Sequence, residues 1–157
     1  MSVGSHVKVL DLSVEKLNLL KDEIGNDRIE YLISSQESIK EAISDSDLVI
    51  GSVYIVGREA PTVITKEMIT LMKPGSVLVD ISIDQGGCIE TSRPTTHDNP
   101  TFVYEDVVHY CVTNMPGAVP LTATLALNEA TLPYIKDLCK KGVKLSLIHI
   151  SEPTRQE

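Results

Sequence analysis

The sequence predicts an α/β fold built on a mostly parallel sheet, and three observations carry that expectation. Short Val/Ile/Leu runs alternate with stretches whose apolar residues recur at helical spacing. The runs are nearly continuous in apolar residues, which suits strands covered on both faces. Strands separated by helical stretches imply βαβ units.

The elements follow in order. Val7-Lys8-Val9-Leu10 reads as a buried strand ending at Asp11. Val14, Leu17, Leu20 and Ile24 then recur at helical spacing, and Gly25 follows as the C-cap. Ile29 to Ile33 is the second strand, after which Ser34-Ser35 offers N-cap hydroxyls to a helix through Ile39 and Ile43. Asp47-Leu48-Val49-Ile50 is the third strand, closed by Gly51. A loop with Gly57 and Pro61 leads to Thr65, which can cap a helix containing Met68, Leu71 and Met72. Lys73-Pro74-Gly75 is a turn into the fourth strand, Val77 to Ile81. Val107 to Val112 is the fifth strand, followed by the turn Pro116-Gly117. From Thr122 to about Leu138 a helix is expected, with Pro120 ahead of it and Pro133 expected to kink or break it. Leu145 to Arg155 continues no pattern and resembles the translation of a transposase-type sequencing adapter, so residues 145–157 are read as a non-native tail.

Composition narrows the function. At 157 residues the chain fits one domain or most of one, and 42% hydrophobic with 23% charged residues excludes wholesale disorder. No apolar run approaches the roughly 18 residues that span a bilayer. Met1 to His6 has neither a cationic nor an apolar leader segment, so a cytoplasmic location and no membrane partner are expected. The net charge of −8 without a Lys/Arg cluster argues against nucleic acid, as does a chain with no Trp and one Phe. Cys88, Cys111 and Cys139 are odd in number and lack a CxxC, which argues against a disulfide framework or structural zinc; no metal is expected.

In a parallel sheet the ligand crevice lies beyond the carboxyl ends of the strands, here Asp11, Gly51–Val53, Ile81–Asp84 and Thr113–Met115. Asp11 reads two ways. It is a helix N-cap, or it is the acid that hydrogen-bonds the ribose hydroxyls of NAD at the end of the second strand of a Rossmann fold; one residue could do both. The second reading demands a glycine-rich phosphate loop roughly 20 residues earlier. Only ten residues precede Asp11, and the chain contains no GxGxxG. The expected fold is therefore a Rossmann-like, doubly wound parallel sheet that is incomplete, with its first strand and glycine-rich loop missing. Asp84-Gln85-Gly86-Gly87-Cys88 also reads two ways: as a turn, or as a loop that sets Asp84 beside a nicotinamide while its glycines permit close backbone approach. Asn114-Met115-Pro116-Gly117 has the same two readings. His97 and His109 lack partners at metal-ligand or triad spacing and read as surface or packing residues. Ser92-Arg93-Pro94-Thr95-Thr96 reads as a structured loop, and Cys88 and Cys111 as small buried residues.

Longer runs carry a family resemblance. Met72-Lys73-Pro74-Gly75-Ser76-Val77-Leu78-Val79-Asp80-Ile81-Ser82-Ile83-Asp84-Gln85-Gly86-Gly87-Cys88, continuing through Ser92-Arg93-Pro94-Thr95-Thr96-His97-Asp98, resembles the alanine dehydrogenases. So does Val108-His109-Tyr110-Cys111-Val112-Thr113-Asn114-Met115-Pro116-Gly117-Ala118-Val119-Pro120, and the resemblance runs from about Gly4 to Gly142. It implies NAD-dependent oxidative deamination of L-alanine to pyruvate and ammonium, in a parent that is a homo-oligomer, typically a hexamer. On the matching positions, Asp11 would bind the adenosine ribose with Lys16 nearby, and Ser34 would approach the adenine. Ser52, Val53 and Tyr54 would line the cofactor crevice. Ile81, Ile83, Asp84, Asn114 and Met115 would flank the nicotinamide and its ribose, with Asp84 as the catalytic residue. A carboxylate at Asp11 favours NAD over NADP, because it repels a 2′-phosphate.

The resemblance also implies that the substrate-holding residues lie in a domain outside this chain. Residues 1–120 then form a partial NAD-binding domain and residues 121–144 a helical return toward the substrate domain, and the chain is expected to be inactive alone. Nicotinamide transhydrogenases share the fold, so the alternatives are a fragment of a transhydrogenase alpha subunit or a non-catalytic nucleotide-binding module.

Overall fold

A computed structural model describes residues 4–151, with side chains described through Gly142. The chain divides into one compact unit reaching to Thr113 and a second beginning at Asn114.

The first unit opens with a βαβ crossover. Strand β1 (Val7–Asp11) pairs in parallel with β2 (Ile29–Ile33), Val7 opposite Ile29 and Asp11 opposite Ile33. Between them runs α1 (Val14–Ile24). Ser13 caps its start by accepting the Lys16 N–H at 3.3 Å. Gly25 ends it in the left-handed region at φ 36°, as the sequence predicts. Helix α2 (Gln36–Asp45) begins with a reciprocal capping box. The Ser35 hydroxyl accepts the Ser38 N–H at 3.1 Å, and the Ser38 hydroxyl accepts the Ser35 N–H at 2.8 Å.

A second sheet has the order β3-β4-β6-β5. Strands β3 (Leu48–Gly51), β4 (Val77–Asp80) and β6 (Val107–Tyr110) run parallel, and β5 (Thr101–Tyr104) is antiparallel at the edge. The apolar runs thus all form strands, in a mixed α/β arrangement of the Rossmann type. They form two sheets rather than one, because among the described residues no strand is hydrogen-bonded between β1 and β3.

Several elements differ from expectation, β6 among them, which ends at Tyr110 rather than Val112. Strand β5 is not foreseen, because its link to β6 is Glu105-Asp106, both at positive φ (48° and 58°). That backbone is the usual two-residue hairpin turn, but without the Asn-Gly or Asp-Gly pair that announces it in a sequence. Helix α3 (Lys66–Ile69) is a single turn that excludes Leu71 and Met72. The Thr65 hydroxyl donates to Glu67 Oε2 at 2.8 Å instead of capping. The chain then tightens into i to i+3 bonds, Leu71 N–H to Met68 O and Met72 N–H to Ile69 O, as it approaches Pro74. Strand β4 ends at Asp80, so Ile81 enters a 3₁₀ turn, Ile81–Gln85.

The core gathers Ile39 and Ile43 of α2, Met68 and Ile69 of α3, Leu78 of β4 and Val107 of β6, with Leu10 and Val49 packed against it. Strands and helices bury their apolar faces on one another, and that layering fixes the strand ends on which the site is built.

The second unit opens at Asn114 (φ 52°), makes a 3₁₀ turn over Met115–Ala118 and enters α4 (Pro120–Ser151). The break expected at Pro133 is absent: Pro133 lies within the helix, and the non-helical residue is Gly142 (φ 72°, ψ 163°). Pro133 removes one donor on an exposed stretch, where water can serve the orphaned carbonyl; a left-handed torsion cannot be absorbed in that way. Of the tail reading at 145–157, residues 152–157 lie outside the described residues.

Candidate functional site

Parallel pairing brings the carboxyl ends of β1 and β2 together, and with them Asp11, Lys16 and Ser34. The Ser34 N–H donates to the Asp11 carbonyl at 3.0 Å. Asp11 Oδ1 accepts the Ser13 N–H at 2.7 Å, so Asp11 leads into α1 through an Asx turn and the N-cap is Ser13. The N-cap alternative for Asp11 is corrected accordingly. Asp11 is half-buried, and its Oδ2 accepts no hydrogen bond among the described residues. Lys16 is exposed one turn into the helix, and Ser34 is half-buried.

The ends of β3 and β4 form a second cluster. Val53 is half-buried and doubly tied to Ser82, whose hydroxyl accepts the Val53 N–H at 2.7 Å and donates to the Val53 carbonyl at 2.9 Å. Ser52 and Tyr54 beside it are exposed. Ile81 is half exposed, at 50%, at the start of the 3₁₀ turn. Ile83 is 5% exposed and belongs to the interior, in contrast to Ile81 and Asp84 on either side. Asp84 is exposed, and with Tyr54, Ile55, Arg58, Gln85 and Gly86 it lines an open cleft of about 480 Å³. The cleft is therefore walled by the two loops that the Ser82–Val53 bonds join. Asn114 and Met115 belong to the second unit, at the start of its 3₁₀ turn.

Sequence reasoning missed Asp80. Its side chain is fully buried at the end of β4. Oδ1 accepts the Ser82 N–H at 3.0 Å and faces the Cys88 thiol at 3.5 Å. Oδ2 accepts the Cys88 N–H at 3.0 Å, the Ile89 N–H at 3.3 Å and the Ser92 hydroxyl at 2.6 Å. The signal was present, since an acid inside Val77-Leu78-Val79-Asp80-Ile81 can be buried only if donors surround it. The two glycines downstream explain how the donors reach it. Gly86 and Gly87 sit at φ 93° and 80°, and a Cβ on Gly87 would stand 2.9 Å from Asp80 Oδ2. Gly51 is needed for space alone, since a Cβ there would lie 2.6 Å from Cys88 Sγ.

Burial also sets the titration of nearby groups. Desolvation, with the Asp80 charge second, pushes the Cys88 thiol up to about 11, and desolvation raises Cys111 as well. Both read correctly as buried packing residues. His109 is buried and held neutral, its pKa lowered by desolvation. Nδ1 lies 3.0 Å from the Val107 carbonyl, which can only accept, so Nδ1 carries the proton and Nε2, 2.7 Å away, accepts from the Thr91 hydroxyl. Its ring stacks on Phe102 at 4.9 Å, and the Arg93 guanidinium lies 4.3 Å from the Phe102 ring centroid. His109 is thus a packing residue. Among the described residues no three His, Cys, Asp or Glu side chains are placed to hold a metal, and no helix is long and apolar enough to cross a membrane.

Comparison with known proteins agrees with this geometry. The chain is 50% identical over 147 residues to an alanine dehydrogenase of Halomonas elongata, covering 94% of this chain and 39% of that protein. It is 52% identical over 140 residues to the alanine dehydrogenase of Mycolicibacterium smegmatis, covering 89% and 38%. A solved L-alanine dehydrogenase superposes with a TM-score of 0.81 at 47% identity, over 90% of this chain and 39% of the other. A transhydrogenase from Sinorhizobium meliloti, at 22% identity and TM-score 0.67 over 84% and 44%, shares the fold. The chain thus spans about two fifths of the length of the curated relatives it matches. The family described as alanine dehydrogenase/PNT, C-terminal domain, matches residues 1–151, and the chain belongs to that family.

Proposed function

We propose that this chain is the greater part of the NAD-binding domain of an NAD-dependent L-alanine dehydrogenase. The observation that carries the reading is half identity to alanine dehydrogenases over nearly the whole chain, joined to a carboxylate-bearing cleft at the ends of parallel strands. The residues fit the cofactor. Asp11 keeps one carboxylate oxygen without a donor among the described residues at the end of β1, suited to ribose hydroxyls and hostile to a 2′-phosphate. Lys16 and Ser34 border the same spot. Ser52, Val53 and Tyr54 are assigned to one wall of the crevice and Ile81, Ile83 and Asp84 to the other, with Asn114 and Met115 assigned to the nicotinamide end.

Held by Asp11 at its ribose and by the crevice walls, NAD would supply the hydride acceptor for oxidation of alanine at Cα, with water furnishing the oxygen of pyruvate and ammonium as the leaving product. Asp84 presents a carboxylate at the cleft mouth, where it accepts a hydrogen bond or a proton at the reacting end. Residues 121–144 are assigned to a return toward a substrate domain and 145–157 to a non-native tail. The whole activity belongs to a full-length, cytoplasmic homo-oligomer acting on alanine and pyruvate.

Alanine-dependent NADH formation by the full-length protein tests the reading. Robust turnover is expected. Transfer of hydride between two nicotinamide nucleotides without any reaction of alanine would place the chain with the transhydrogenases instead.

A further inference from the structure

We propose that Asp80 and Ser82 are positioning residues that act as a two-part clamp, holding Asp84 and Val53 in register across the cleft. The inference deepens the dehydrogenase reading and rests on it for its kinetic readout. The 3₁₀ turn Ile81–Gln85 carries Asp84, which is exposed. Asp80 grips both ends of that turn. Oδ1 takes the Ser82 N–H at its start, while Oδ2 takes the Cys88 and Ile89 N–H groups just past its end. The Ser92 hydroxyl donates to Oδ2 at 2.6 Å. The clamp's second half is the Ser82 side chain, 6% exposed, whose hydroxyl satisfies both the N–H and the C=O of Val53, 29 residues away in sequence.

These bonds join the two loops that wall the cleft, Tyr54–Glu59 and Asp84–Gly86. A turn gripped at both ends and stapled to the opposite wall leaves Asp84 little freedom relative to Val53. A misplacement of about 1 Å costs on the order of 100-fold in rate. Asp11, at the end of a separate two-stranded sheet, lies outside the clamp. Loosening the clamp should therefore affect turnover more than cofactor binding.

The test compares Ser82→Ala and Asp80→Asn with Thr91→Val in the full-length protein. Thr91→Val removes the hydroxyl bonded to His109 and serves as a half-buried control outside the clamp. Expected are a tenfold or greater fall in kcat for both clamp variants, a rise in the Kd for NAD smaller than that fall because the Asp11 contact is kept, and faster amide exchange at residues 53–57 and 84–88. Thr91→Val should lower the Tm but leave kcat and those amides unchanged. Equal effects of Thr91→Val and the clamp variants on kcat, or clamp variants with unchanged kcat and exchange, would overturn the proposal. If one clamp variant fails to fold, the other is decisive, since Asp80→Asn alters the carboxylate and Ser82→Ala only the hydroxyl. A parent with no alanine activity defeats the functional reading alone, and the exchange pattern then decides the clamp.

Discussion

Replacing Gly87 with Ala separates two physical effects that meet at one residue. The backbone there sits at φ 80°, where a Cβ costs about 1–2 kcal/mol. Alanine also stiffens the unfolded chain, which returns roughly 0.4–1 kcal/mol. Gly75, at φ 82° with nothing within 4 Å of a built Cβ, feels only these two terms. Gly75→Ala should therefore destabilise by about 0–1.6 kcal/mol. At Gly87 the new Cβ stands 2.9 Å from Asp80 Oδ2 and 3.3 Å from Ser92 Cβ. The carboxylate must move, and it is the acceptor for the Cys88 and Ile89 N–H groups and the Ser92 hydroxyl. Weakening one such charge-assisted bond costs about 1.5–3 kcal/mol. Gly87→Ala should then exceed Gly75→Ala by about 2 kcal/mol or more, roughly 4–8 °C in Tm at 2–4 °C per kcal/mol. Urea unfolding of the two variants, followed by circular dichroism under identical conditions, measures the difference. Indistinguishable midpoints with equal slopes would refute the claim that the Asp80 network constrains this glycine.

The remaining predictions use other parts of the molecule. Asp11→Ala in the full-length protein should raise the Kd for NAD about 10-fold or more, by removing a charged acceptor of ribose hydroxyls, and should narrow the gap between NAD and NADP. Titration calorimetry with both cofactors reads this, and an unchanged ratio contradicts the assignment. Cys88 and Cys111 should resist thiol reagents at neutral pH while exposed Cys139 reacts, all three becoming reactive in denaturant. The raised Cys88 pKa favours the protonated thiol in the folded state, so its contribution holds below about 9, the ordinary thiol value, and is lost as pH rises toward about 11. For His109 the sign is reversed. Its lowered pKa means the unfolded state binds more protons, so stability should decline as pH falls below about 6.5, and His109→Gln should flatten that part of a Tm-against-pH curve.

The sequence alone determined the order of parallel strands and helices, because each apolar run is a local feature, as is the glycine that ends α1 at Gly25; the N-cap it offered to Asp11 fell to Ser13. It also pointed to the strand ends, Asp11 and Ser34 at those of β1 and β2 and Val53 and Asp84 beyond those of β3 and β4, since parallel pairing sends carboxyl ends to one kind of edge. Hairpin β5–β6 escaped it because Glu105-Asp106 adopts positive φ without a residue that advertises it. Only the tertiary structure separated Ile83 from Asp84, neighbours that differ in whether packing buries them. Only it decided the part played by Asp80, whose donors come from residues 82, 88, 89 and 92 and converge once Gly86 and Gly87 turn the chain back. Local torsions and apolar period are written residue by residue. The surroundings of a buried charge are a sum over chain segments that meet only after folding.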